Sequence, residues 1–366
     1  MNTVAPLSYH FRPSQGWIND PNGLVWFDGY YHLFYQCAPH FEKPWQEPMH
    51  WGHARTKDFL TFEELPVALC PDQPYDRDGC WSGTAIVRDG RLYLFYASIR
   101  KDEAGNLVQS VSVAWSDDGI RFEKYAGNPV IAGYPPEGSP DFRDPAVAFW
   151  NGMYYCIMAT GHKPTHSARL LLYRSPDLLH WELDGVMAQW DNAVYTECPS
   201  FLPGAEKSVL TCSVCAEDGH RFSIQAGRFD GHRFTRQQER CVDQGPDQYA
   251  GQAFADPQGR QLLIAWIPGW GYENFADRNV GCLSAPRELT EENGEIRAYP
   301  VRELRHLLKD SDPAVVRTAD GGLTVQRRDR PPLTVAGPIE DLKILRDGDV
   351  VELFVDHGRQ VYTALL

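Results

Sequence analysis

Residues 28–36, DGYYHLFYQ, decide the fold, because copies of this stretch recur along the chain. Each copy joins a polar-glycine turn to an aromatic-rich segment with the character of a β-strand. The further copies are DGRLYLFYA at Asp89, NGMYYCIMA at Asn151, and the weaker PGAEKSVLTCS at Pro203 and QGRQLLIAW at Gln258. Their starts lie 61, 62, 52 and 55 residues apart, which indicates a repeat architecture with five units.

A second theme recurs between these turns. Its copies are TKDFLTFEEL at Thr56, SDDGIRFEKY at Ser116, SPDLLHWELD at Ser175 and a degenerate FDGHRFTRQ at Phe229. Segments with helical periodicity are nearly absent, and a two-sheet sandwich does not repeat a unit of this length. The pattern therefore predicts an all-β protein: a five-bladed β-propeller over residues 1–305, followed by a smaller β-sheet region over 306–366.

Three acidic residues occupy related places in this repeat. Asp20, Asp144 and Glu197 precede the glycines of their blade turns by nine, eight and seven residues. In a propeller the first strand of each blade lines the central channel, so the three carboxyl groups are predicted to converge at one mouth. Crowded carboxyl groups repel one another and raise at least one pKa, so they indicate a functional site.

Composition excludes several classes of partner. The formal net charge of −14 argues against nucleic acid and anionic membranes, which need clustered Lys and Arg. The N-terminal sequence shows no signal peptide and no apolar run reaches membrane-span length, so a cytoplasmic location is expected. The 11 Trp and 17 Tyr residues suit stacking on sugars, although packing in a β-rich core also accounts for them.

The nine cysteines are predicted to be reduced thiols. One pair, Cys212 and Cys215, has C-x-x-C spacing, but it lies in a predicted strand, where positions i and i+3 face opposite sides. No metal site and no cofactor are therefore predicted.

The acidic positions lie within a longer series of motifs. In chain order these are WINDPNG, YHLFYQ, HWGHA, GCWSGTA, NPVI, FRDPAV, TECPSF, DQYAGQAF and APREL, spread over roughly the first 305 residues. The series resembles glycoside hydrolase family 32, the family of invertases, inulinases and levanases. The resemblance implies a retaining β-fructofuranosidase that cleaves sucrose and short fructo-oligosaccharides through a covalent fructosyl-enzyme.

The same resemblance implies roles for individual residues. Asp20 would be the nucleophile, Glu197 the general acid/base, and Asp144 a stabiliser of the fructose hydroxyls. From the chemistry, we expect the acidic neighbours to raise the pKa of Glu197, turn amides to hold Asp20 ionised, and Arg143 to keep Asp144 charged. The substrate-binding residues implied by the motifs are Trp17, Asn19, Gln36, Trp45, Trp81, Ser82, Arg143, Tyr249 and Trp270.

The C-terminal region is shorter than the β-sandwich usual in this family. Its last strand-like segments show apolar residues on both faces: Val351, Leu353 and Val355 on one, Val350 and Phe354 on the other. Both faces need a cover, which the propeller or a second copy would supply, so the sequence predicts a reduced sandwich docked on the propeller and a possible homodimer.

Three other functions fit parts of this pattern. A non-catalytic sugar-binding propeller would need no intact set of acids. A fructosyltransferase would use the same covalent intermediate but pass the fructosyl group to a sugar. An arabinan- or xylan-cleaving five-bladed propeller is also built on three acids, but WINDPNG and TECP argue against it.

Overall fold

The computed structural model describes residues 7–40, 47–217, 219–268, 281–327 and 330–366. Four antiparallel sheets of four strands and one of five follow one another along the chain, so the predicted five-bladed propeller is confirmed. Within the described ranges, no helix is long and apolar enough to span a membrane.

Blades one to four are simple meanders in which each strand pairs with the next. Blade one contains β1 (Trp17–Phe27), β2 (Tyr30–Ala38), β3 (His50–Thr56) and β4 (Glu63–Leu69). Blade two contains β5 (Gly79–Arg88), β6 (Arg91–Lys101), β7 (Leu107–Ser116) and β8 (Glu123–Lys124). Blade three contains β9 (Phe142–Trp150), β10 (Met153–His162), β11 (Ser167–Ser175) and β12 (Glu182–Asp191), with a 3₁₀ turn at Lys163–Thr165. Blade four contains β13 (Tyr195–Leu202), β14 (Ser208–Ala216), β15 (Gly219–Phe229) and β16 (Phe234–Arg240).

Blade five and the C-terminal region complete the chain. Blade five contains β17 (Tyr249–Ala255), β18 (Gln261–Ile267), β19 (Cys282–Leu283), β20 (Arg287–Glu292) and β21 (Glu295–Pro300). A 3₁₀ turn at Arg302–Leu307 leads into two three-stranded sheets. The first sheet contains β22 (Val315–Arg317), β23 (Leu323–Val325) and β24 (Leu333–Val335). The second contains β25 (Leu342–Asp347), β26 (Val350–Val355) and β27 (Gln360–Leu365).

The propeller is held together by apolar cores between neighbouring blades. The alternation of apolar side chains along each strand supplies both faces of every blade, and these faces pack pairwise. The ring closes where Leu24 and Leu33 of blade one pack in one cluster with Phe254 and Ile264 of blade five. This closure brings the first strands of all five blades around one axis.

The C-terminal sheets form a reduced sandwich, as predicted. Every residue of β26 is buried. On one face Val351 and Leu353 pack against Leu323 and Val335 of the other sheet. On the opposite face Phe354 packs into the apolar cluster that includes side chains of blade five. The chain itself therefore covers both faces, and this strand provides no reason for a second copy.

A buried ionic network joins this sandwich to the propeller. Arg287 of β20 contacts Glu352 of β26 at 3.0 Å and Asp243 at 2.7 Å. His10, in the segment before blade one, contacts Glu352 through Nε2 and Asp347 through Nδ1, both at 3.1 Å. Each charge in the network has a partner of opposite sign, which offsets the cost of removing it from water.

Truncation after Arg305 tests whether residues 306–366 are separable from the propeller. It would expose the apolar surface under Phe354 and leave Arg287 without Glu352, so we expect a chain that aggregates or melts far below the full-length protein. In the full chain, Phe354→Ala should cost about 3–5 kcal/mol of unfolding free energy, whereas Val316→Ala, at an exposed position, should cost under about 0.5 kcal/mol. A truncated chain with unchanged solubility and melting temperature would show that the sandwich is dispensable.

Replacing His10 by Ala should lower the free energy of unfolding by about 3–5 kcal/mol at pH 6, because two carboxylates would lose a buried partner. Burial opposes protonation of His10, but its hydrogen bonds to Asp347 and Glu352 raise its pKa above 6.5. The contribution of a group with a raised pKa is complete below its unfolded value and is lost as the pH rises through its folded value. The loss caused by the substitution should therefore shrink above neutrality, measured by urea unfolding between pH 5 and pH 9.

The matched control for this prediction is His357→Ala. His357 is mostly exposed and lies 3.5 Å from Asp341, so its removal should change stability by less than about 0.5 kcal/mol at any pH in this range. A pH-independent loss in the His10 variant would mean that packing, and not charge, accounts for its contribution.

Candidate active site

A β-bulge interrupts the first strand of every blade at the same level. In each blade, the pairing of the first strand with the second strand leaves one or two residues of the first strand unpaired at this level. The skips lie between Ile18 and Pro21, Trp81 and Gly83, Arg143 and Ala146, Glu197 and Ser200, and Tyr249 and Gln252. Bulges redirect side chains and are frequent beside active sites. Here the skipped residues include Asp20, Ser82, Asp144 and Cys198.

The bulges also correct the predicted equivalence of the three acids. Asp20, Asp144 and Cys198 each directly precede a proline, and Asp144 and Cys198 share a left-handed backbone with φ of 57° and 46°. Glu197 lies one position earlier and corresponds to Arg143. Asp20 and Asp144 thus share a position relative to the following proline, whereas Glu197, like Arg143, is the last residue paired before its bulge. Aligning the repeats on the prolines of NDP, RDP and ECP would have shown this from the sequence.

Asp20 is held by side chains from two other blades. The hydroxyl of Ser82 donates to its Oδ2 at 2.7 Å, and the thiol of Cys198 lies 3.4 Å from the same oxygen. In the described part of the chain, the hydrogen bonds to this carboxyl group come from side chains and not from the turn amides that the sequence predicted. Burial raises the pKa of Asp20, while the hydrogen bond from Ser82 opposes the rise.

Asp144 is held by a backbone group of the neighbouring blade. The backbone N–H of Cys198 donates to its Oδ2 at 2.9 Å. Burial raises the pKa of Asp144 to about 7; Glu197 and Asp20 add to the rise, and Arg143 opposes it. The prediction that Arg143 keeps Asp144 ionised is therefore wrong, because desolvation outweighs the neighbouring positive charge.

Arg143 instead contacts Glu197. Its Nη2 donates to Glu197 Oε1 at 3.0 Å and its Nη1 donates to Asp141 at 3.2 Å. Burial of Glu197 acts to raise its pKa, but Arg143 and the hydrogen bond donated by Tyr249 outweigh burial, so the pKa is lowered. The prediction of a raised pKa for Glu197 is wrong for the substrate-free protein. Its neighbours are two acids, as predicted, but also a guanidinium group whose target the sequence did not reveal.

Two cavities open around these acids. The smaller, of about 240 Å³, is lined by Asp20, Trp81, Ser82, Leu107, Gln109, Asp141, Arg143, Asp144 and Glu197. The larger, of about 760 Å³, is lined by Asn19, Asp20, Glu197, His220, Gly245, Pro246, Gln248, Tyr249, Trp266 and Pro268. Asp20 and Glu197 line both cavities, so these two carboxyl groups stand where the cavities meet.

The remaining predicted binding residues differ in position. Asn19, Trp81, Ser82, Arg143 and Tyr249 line the cavities. Trp17 is buried beneath the site, where its indole N–H donates to Asn19 at 2.8 Å and its ring packs edge-on against Trp266. Gln36 is also buried and donates to the carbonyl of Cys80 at 2.9 Å. These two side chains support the site from below, and Trp45 and Trp270 lie outside the described residues.

The structure places two further side chains beside Glu197. Cys215 lies 3.4 Å from Glu197 Oε2, and His220 Nδ1 lies 3.0 Å from the Cys215 sulfur. Cys212, the other member of the C-x-x-C, packs into the core between blades three and four, so the two sulfurs diverge as predicted. The sequence offered no signal for the pairing of Cys215 with His220, since it arises across a hairpin.

The fold and the site together define a class. Paired carboxyl groups that flank a sugar-sized cavity are the apparatus of glycoside hydrolysis. A family model, described as "Glycosyl hydrolases family 32 N-terminal domain", matches residues 10–300. The chain belongs to glycoside hydrolase family 32, which confirms the family that the motifs indicated.

Individual relatives agree with this assignment. The chain is similar to a sucrose-6-phosphate hydrolase of Escherichia coli, with 36% identity over 349 residues that cover 89% of this chain and 70% of that protein. It is also 36% identical to the raffinose invertase of Escherichia coli over 85% of this chain and 68% of that protein. Among solved structures, the Bombyx mori GH32 beta-fructofuranosidase superposes with a TM-score of 0.84 at 25% identity, covering 99% of this chain and 89% of that one. A mutant of the Bombyx mori enzyme has been solved in complex with sucrose.

Proposed function

We propose that this protein hydrolyses terminal β-D-fructofuranosides, such as sucrose and short fructo-oligosaccharides, with retention of configuration. The observation that carries the proposal is the placement of Asp20 and Glu197 at the junction of the two cavities. A fructosyl group in the smaller cavity and a leaving sugar in the larger would put the scissile bond between these two carboxyl groups.

In the first step Asp20 attacks the anomeric carbon of the fructosyl group. The bond from that carbon to the glycosidic oxygen breaks, and the proton of Glu197 passes to the departing oxygen. In the second step Glu197 takes a proton from water, the water oxygen attacks the anomeric carbon, and the bond to Asp20 breaks. Two inversions restore the β-configuration of the fructose.

The other groups support these steps. Ser82 donates to Asp20 and keeps its oxygen directed toward the cavity. Arg143 stabilises the carboxylate form of Glu197, which is the form required for the second step. For the first step Glu197 must carry a proton, so substrate binding has to weaken its contact with Arg143.

The test is the anomeric form of the first fructose released from sucrose, followed by NMR within the first seconds of reaction. We expect β-fructose, and α-fructose would overturn the mechanism. Initial rates on sucrose, sucrose 6-phosphate, 1-kestose, inulin and levan would define the substrate, and trisaccharide formation at high sucrose would indicate fructosyl transfer. Absence of any sugar release would favour a sugar-binding propeller.

A further inference from the structure

A cluster of potential metal ligands lies on the large-cavity side of Glu197. It consists of Glu197, Cys215 and His220, whose ligand atoms all lie within 4.8 Å of one another. We propose that these three residues form a binding site for a thiophilic divalent cation such as Zn²⁺, and that the bound cation inhibits hydrolysis. The inhibitory part rests on the proposed role of Glu197, whereas the binding site rests on geometry alone.

The backbone arranges the three ligands before any cation arrives. Cys215 and His220 are directly paired across the hairpin of β14 and β15, and Glu197 comes from the adjacent β13. The Cys215 sulfur lies 3.0 Å from His220 Nδ1 and 3.4 Å from Glu197 Oε2. Zinc bonds of about 2.0–2.3 Å in a tetrahedral arrangement separate neighbouring ligand atoms by about 3.3–3.7 Å. Small side-chain movements would therefore suffice to hold the ion.

The ligand types also select this class of cation. One thiolate, one imidazole and one carboxylate suit zinc-like ions and not Mg²⁺ or Ca²⁺, which prefer oxygen. Glu197 and His220 line the larger cavity, and His220 is exposed, so an ion can enter from that side. The Tyr249 hydroxyl lies 3.4 Å from the Cys215 sulfur. A fourth ligand or a water on that side would complete the coordination shell of the ion.

Binding has a defined proton balance. The Cys215 thiol releases one proton to the solvent as its sulfur bonds the ion, His220 binds through its neutral nitrogen, and Glu197 binds as a carboxylate. The two negative ligands neutralise the charge of the ion within the partly buried site. A Glu197 oxygen bonded to the ion can neither give a proton to the leaving sugar nor take one from water, so both steps of hydrolysis would stop.

Zinc binding is measured first without reference to activity, on the full-length protein treated with a chelator. Calorimetric titration with Zn²⁺ in two buffers of different ionisation enthalpy should show one site and one proton released. Titration with Co²⁺ should produce a thiolate-to-cobalt charge-transfer band. In His220→Asn and Cys215→Ser, the affinities for Zn²⁺ and Co²⁺ from these two titrations should each fall by at least about 100-fold, since each change removes a direct ligand. His220 is exposed, so His220→Asn tests the site even if Cys215→Ser fails to fold.

Matched controls use a thiol and an imidazole outside the cluster. Cys70→Ser and His232→Ala alter exposed residues on other parts of the propeller and should bind Zn²⁺ like the wild type. Absence of zinc binding to the wild type, or unchanged affinity in His220→Asn, would overturn the site. If Zn²⁺ binds at the site and the protein still hydrolyses sucrose at the full rate, the proposed inhibition is refuted. A wild type that binds Zn²⁺ as described but cleaves no fructoside would leave the site standing and refute the proposed function.

Discussion

Asp20→Asn should lower kcat on sucrose by at least about 10⁴-fold, because the amide cannot form the fructosyl-enzyme ester. The substitution keeps the shape of the side chain and can still contact Ser82. The loss should therefore appear in kcat with little change in the binding of sucrose, measured by calorimetry on the inactive variant. Residual activity within about tenfold of the wild type would mean that another group attacks the sugar.

Asp20→Asn should not lower the stability of the folded protein, although it lowers the activity. Burial raises the pKa of Asp20, so its ionised form destabilises the folded protein at neutral pH. Asp20→Asn should melt at the same temperature as the wild type or higher at pH 7, and the difference should vanish below the ordinary aspartate value of 3.8. Equal or greater stability combined with lost activity would exclude misfolding as the cause of the loss.

Ser82→Ala is the matched control for Asp20→Asn. It removes the 2.7 Å hydrogen bond to the carboxylate but leaves the nucleophile in place. A hydrogen bond to a charged group contributes about 1.5–3 kcal/mol, so the expected loss is about 10- to 100-fold. A loss as large as that of Asp20→Asn would mean that the position of the carboxylate, and not its nucleophilicity alone, limits the rate.

Glu197→Ala should reduce kcat/KM for sucrose by about 10²- to 10⁴-fold, the range for a general acid. For a fructoside with an activated aryl leaving group the reduction should be less than about tenfold, because such a group departs without a proton. The ratio of kcat/KM for the two substrates is the measurement, since it reports the steps up to formation of the fructosyl-enzyme. Equal losses on both substrates would rule out the acid role.

Two further experiments test the acid/base role of Glu197 specifically. Glu197→Gln should show the same preference for the aryl fructoside, because the amide fills the same space but cannot donate the proton. Azide added to Glu197→Ala should accelerate turnover of the aryl fructoside and yield β-fructosyl azide, since an anionic nucleophile needs no general base. Formation of the α-azide would contradict a double displacement.

The sequence by itself determined the architecture and the chemical class. The turn-and-strand repeat that starts at Asp28 depends on local rules of turn chemistry and side-chain alternation, which hold without knowledge of distant contacts. The motifs around Asp20, Asp144 and Glu197 identified the acids, because propeller geometry brings the first strands to one axis. The two apolar faces of the penultimate strand predicted a cover on each side, and the structure supplies both from the same chain.

Only the tertiary structure decided how these groups act on one another. Glu197 and Arg143 are each the last paired residue before a bulge, and Arg143 donates to Glu197 and not to Asp144. The hairpin that pairs Cys215 with His220 places a thiol beside the proposed acid/base, although the sequence linked that cysteine only to Cys212. Charge interactions and desolvation act over a few ångströms between strands of different blades. A pKa therefore depends on distances that no spacing along the chain contains.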